Sequence, residues 1–90
     1  MTAQRFTIMC EFDGGTFLSQ VHATDEEQAL IAWSEVLRRE KPMGGDSLLI
    51  AYEAAARKDD LTAVESLSGV WCWSGMVESR LILTHMVRSA

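Results

Sequence analysis

The chain is short of proline, of cysteine and of positive charge, and each shortage narrows what it can be. A single proline in 90 residues, with no biased tract, is not the composition of a disordered segment. Two cysteines, Cys10 and Cys72, are too few for the disulfide framework of a small secreted domain. Both sit in strand patterns, where a reduced cysteine behaves as a small hydrophobe. Eight lysines and arginines against 13 acidic residues leave a net charge of −5. Nucleic acid needs a basic face to neutralise phosphates, and the only dense basic run is Arg38-Arg39 with Lys41. The composition therefore argues against nucleic acid, and the acidic balance suits a basic protein instead. No apolar run approaches the length of a membrane span. The opening Met1-Thr2-Ala3-Gln4-Arg5 lacks the apolar core of a signal peptide. The expectation is a cytoplasmic protein that makes no membrane contact.

Catalytic and cofactor motifs are missing as well. There is no Gly-x-Ser-x-Gly, no His-Glu-x-x-His, no Cys-x-x-Cys and no phosphate-binding loop after Gly44-Gly45. No cofactor is expected. The spacings Cys10-x11-His22 and Cys72-x12-His85 match no common zinc pattern, so no metal is expected either.

What remains is the makings of one small domain spanning residues 1–90, with 48% apolar and 23% charged residues and no internal repeat. Two alternating segments flank Gly14-Gly15, whose freedom for positive φ suits a two-residue type I′ turn. That turn pairs Phe12 with Phe17, Cys10 with Ser19, Ile8 with Val21 and Phe6 with Ala23 on one nearly apolar face. The other face carries Thr7, Met9 and Glu11 against His22, Gln20 and Leu18. A second hairpin follows near the end of the chain, turning at Glu78-Ser79. It pairs Met76 with Leu81, Ser74 with Leu83, Cys72 with His85 and Val70 with Val87. Its other face pairs Gly75 with Ile82, Trp73 with Thr84 and Trp71 with Met86. Both of its faces are apolar, as in strands covered on both sides.

Two helices lie between the hairpins. Thr24-Asp25-Glu26-Glu27 has capping-box spacing, with Thr24 as N-cap and Glu27 three residues on. Ala29, Ala32, Trp33, Val36 and Leu37 recur at helical spacing until Arg38, Arg39, Lys41 and Pro42 end the run. Asp46 or Ser47 caps the second helix, whose apolar stripe is expected at Leu48, Leu49, Tyr52, Ala55 and Ala56. Asp59 to Gly69 reads as a loop with a short turn or a strand start. The order ββααββ gives an α+β two-layer sandwich of an antiparallel sheet and two helices. The helices are expected on the face carrying Phe6, Ile8, Phe12 and Val21. Which strands meet at the sheet centre is open.

Function is not legible in any motif. The best reading is a small non-catalytic protein-binding module, homodimeric, of a size and acidity that suit a bacterial antitoxin or immunity protein. The opening hairpin and helix loosely resemble HicB-type antitoxins over less than half of the chain, without a shared specific motif, so no family membership follows. The expected partner surface is the sheet face away from the helices, with Trp71, Trp73, Met86, Ile82, Met9 and Leu18 on it. Tryptophans shared with the helix core are the competing placement, and Cys72 then faces outward. The alternative function is a small enzyme or ligand-binding domain using Cys72 and His85. They are cross-strand neighbours in this register, and a histidine can activate a thiol within hydrogen-bond reach.

Overall fold

A computed structural model describes residues 2–89. Strand β1 (Gln4–Phe12) turns into β2 (Gly15–Ala23), followed by helices α1 (Glu26–Glu40) and α2 (Asp46–Ala56). A 3₁₀ turn over Lys58–Asp60 leads into the two-residue strand β3 (Thr62–Ala63), and β4 (Val70–Val77) and β5 (Arg80–Ser89) form the second hairpin. The strands make one antiparallel sheet in the order β2-β1-β5-β4-β3. The α+β sandwich of the sequence reading is thus the fold. The hairpins join through β1 and β5, which puts strands from opposite ends of the chain at the sheet centre.

The first turn is one step earlier than expected. Asp13 (φ 50°) and Gly14 (φ 82°) supply the two positive φ values, and Phe12 pairs with Gly15. Cys10 therefore meets Phe17, Ile8 meets Ser19 and Phe6 meets Val21. The shift is two residues, an even number, so every side chain keeps its face. Gly15 is ordinary strand, but a Cβ there would come within 2.9 Å of the Phe17 ring. The second hairpin has the expected register throughout, with Glu78 (φ 51°) and Ser79 (φ 67°) adopting the same turn without a glycine.

Arg80 explains part of how that strained turn is held. Its guanidinium makes two 3.0 Å bonds to the Asp46 carboxylate and reaches Glu78 at 2.9 Å and Asp13 at 3.4 Å. It also lies 4.9 Å from the centre of the Phe12 ring. One side chain thus links both hairpin turns to the start of α2, a fork geometry that arginine provides and lysine does not.

The core lies between the sheet and the helices. Phe6, Ile8, Cys10, Phe12 and Val21 meet Ala29, Leu30, Trp33 and Leu37 of α1 and Ile50, Ala51 and Ala54 of α2. The N-cap of α1 is Asp25 rather than Thr24, its carboxylate accepting from the Gln28 amide at 2.8 Å. Lys41, in the left-handed region at φ 49°, ends the helix before Pro42. The expected stripe of α2 is corrected: Ser47, Ile50, Ala51 and Ala54 are buried, while Leu48, Leu49 and Tyr52 are exposed. The buried set has the proper i, i+3, i+4, i+7 spacing, and its alanines let the helix approach its neighbours closely.

Candidate functional site: the open face of the sheet

Alternation along a strand assigns every residue of the sheet to one of two faces. The helices cover the face that carries Phe6, Ile8 and Cys10 of β1. On β4 and β5 the same face carries Trp73, Gly75 and Val77 opposite Thr84, Ile82 and Arg80. The expectation that Trp71, Trp73, Met86 and Ile82 lie on the open face is therefore corrected. Trp73 is buried edge-on against Trp33, with ring centres 6.5 Å apart, and its Nε1–H donates to the Arg57 carbonyl at 3.1 Å. Ile82 and Met86 are completely buried. Trp71, half-buried at the end of this layer, packs against Phe6 at 5.9 Å, with the Arg88 guanidinium over its ring at 5.6 Å. The physical reason is volume. Two helices contribute mostly alanine and leucine to this layer, and indole rings fill the space they leave. Gly75 marks the same point, because a Cβ there would lie 3.1 Å from the Trp73 ring. A glycine two residues after a tryptophan was the available signal, since it makes room on that face.

The open face carries the alternate residues. Register sets Leu18, Met9, His85, Cys72 and Thr62 side by side in one row across all five strands. A neighbouring row runs Gln20, Thr7, Val87 and Val70, and the row on the other side runs Thr16, Glu11, Leu83 and Ser74. Leu81 and Met76 pair next to the turn. Leu18 is 70% exposed, Leu81 57%, Met76 53% and Val87 44%, while Met9 and Leu83 are half-buried by their neighbours. Met9 and Leu18 thus lie where the sequence placed them. Leu81, Leu83, Val87, Val70 and Met76 belong with them, and assigning the tryptophans to the other face hid them. Polar groups rim the patch: the Gln20 side-chain amide donates to Thr7 Oγ1 at 3.0 Å, and Glu11 lies beside Leu83.

Cys72 and His85 are cross-strand neighbours on this face. His85 Nδ1 is buried and has no hydrogen-bond partner, so no side chain orients the ring through that atom. Cys10 lies in the core on the other face, and burial pushes its thiol pKa up. His22 is exposed on the opposite side of the sheet from Cys10, so that pair cannot share an ion. Among the described residues, no three histidine, cysteine or acidic side chains come together as a metal site. Among the same residues, no helix is long and apolar enough to cross a membrane. No family model, curated protein or solved structure matches this chain.

Proposed function

We propose that the chain is a small non-catalytic protein-association module whose open sheet face packs on the same face of a second copy. The observation that carries this reading is the exposed Leu18, Leu81, Val87 and Met76, with half-buried Met9 and Leu83 between them, on a sheet covered by helices on one side only. Antiparallel sheets with one solvated face ordinarily set polar residues outward, and here eight of the fifteen outward residues named above are apolar. Strands of eight to ten residues, about 4.8 Å apart, make a face of roughly 20 by 30 Å. Two such faces bury on the order of 1,200 Å², near the lower bound of stable specific interfaces. The dimer is accordingly concentration-dependent. The acidic balance of the chain suits a basic protein as a further partner, in the manner of antitoxins and immunity proteins.

The test is the mass in solution of the wild type and of Leu83→Lys, measured by light scattering over a range of concentrations. Lysine at this central position faces Glu11, so the monomer gains an ion pair while the apolar contact is lost. The expected result is a folded variant of lower mass than the wild type. A wild type that stays monomeric at about 100 µM, where micromolar contacts are saturated, overturns the reading.

The register adjacency of Cys72 and His85 supports a second reading, in which the pair binds or modifies a ligand. Loss of a biological activity on Cys72→Ser, with fold and mass unchanged, would favour it.

A further inference from the structure

The two edges of the sheet are not alike. Beyond β4 lies β3, paired at Thr62–Cys72 and Ala63–Trp71. Past the end of β3, the Arg57 guanidinium lies over the covered face of β4, 3.3 Å from where a Cβ of Gly75 would be and 5.9 Å from the Trp73 ring centre. The other edge is β2, nine residues paired to β1 in unbroken register with no bulge. Its sequence, Gly15-Thr16-Phe17-Leu18-Ser19-Gln20-Val21-His22-Ala23, contains no proline, lysine, arginine or acid. Natural edge strands of this length normally carry one of those devices, because bare edge amides recruit other strands.

The outward groups can be named. The residues flanking a two-residue turn exchange both backbone hydrogen bonds, and the pattern alternates from there. Gly15, Phe17, Ser19, Val21 and Ala23 therefore bond to β1, and the amides and carbonyls of Thr16, Leu18, Gln20 and His22 point away from the sheet. All four of these residues are exposed. Among the described residues, no loop or cap backbone hydrogen bond uses them.

We propose that β2 pairs antiparallel with β2 of a second copy about a two-fold axis at Ser19. That axis matches Leu18 with Gln20 and Thr16 with His22 of the other copy, so all four outward residues bond in both directions, about eight hydrogen bonds in all. It also sets Phe17 beside Val21 of the other copy, apolar against apolar, and places no charge opposite a like charge. Axes at Leu18 or Gln20 leave outward groups unpaired. The pairing is isologous, each β2 being used up by one partner, so this contact closes at two copies and does not run on into a fibre. It is independent of the face contact. The edge axis stands normal to the sheet and the face axis lies parallel to it, so a chain can use both.

The direct test is hydrogen exchange in the wild type, read residue by residue by NMR at low and high protein concentration. The amides of Thr16, Leu18, Gln20 and His22 should be fast in dilute solution and slow as concentration rises. Exchange at surface-loop rates at every concentration overturns the proposal, even where Leu83→Lys lowers the mass and the face contact stands. Gln20→Pro supplies the second measurement. It removes an outward amide that β1 does not use, a position where an edge strand tolerates proline. The expected result is a halved assembly mass with the far-ultraviolet circular dichroism retained. A folded Gln20→Pro with the wild-type mass overturns the proposal as well.

Discussion

The two faces of this sheet are built from the same residue types and do different work. Both carry leucine, isoleucine or valine with methionine and a cysteine. On the covered face these side chains are locked against α1 and α2, and Trp73 and Trp33 fill the remaining volume. On the open face, Leu18, Leu81, Val87 and Met76 remain in water. The lesson is that apolar content by itself does not identify an interface. What distinguishes the faces is the size of the side chains and what stands over them. Large aromatic residues went to the side where the helices leave volume, and aliphatic ones of moderate size went to the side left flat.

Removing a core tryptophan should break this contrast most visibly. Trp73→Ala is expected to cost about 3–5 kcal/mol, read as a fall in the urea midpoint, because it opens a cavity and removes the indole bond to the Arg57 carbonyl. Little loss would mean that the covered face is not the core. Next in size is Gly14→Val. At φ 82°, a β-branched residue should lower stability by about 1–3 kcal/mol. The second turn offers the opposite change. Ser79→Gly relieves a left-handed residue at φ 67° and should stabilise the domain by roughly 0.5–1 kcal/mol, raising its Tm. The smallest effect separates the cysteines by rate. In the native monomer, Cys72 on the open face should alkylate while Cys10 does not. Burial both shields the Cys10 thiol and raises its pKa, so little thiolate is present at neutral pH. Equal rates would remove the distinction between the faces at this row.

The sheet was legible in the sequence because period-two alternation is a strong signal when the turns are short. All eight pairs of the second hairpin follow from the turn at Glu78-Ser79 alone. The first hairpin was displaced by two residues because Asp13-Gly14 and Gly14-Gly15 both satisfy a type I′ turn. Side-chain alternation cannot separate two registers that differ by an even step. The candidate site was half legible. Met9 and Leu18 follow from the first hairpin, where one face is clearly more apolar. The second hairpin is apolar on both sides, so its pattern does not say which side the helices take, and the tryptophans were placed on the wrong one. The helix stripe of α2 failed for a related reason: Leu48, Leu49 and Tyr52 have a helical spacing of their own, whereas packing selected the stripe of Ser47, Ile50, Ala51 and Ala54, whose small members let the helix approach closely.

The pairing of β1 with β5 has a mechanical consequence. Arg5 lies opposite Ser89, so the outer ends of these two strands emerge at the same end of the sheet. A load applied across those ends meets the hydrogen bonds in series. It opens them one after another like a zipper, and does not shear them together. The same junction joins residues from far ends of the sequence, so its formation requires closing a large loop and is slow. A strand pair that takes long to assemble is thus the one that yields first under tension, and force spectroscopy on ends near Arg5 and Ser89 should record unfolding at low force.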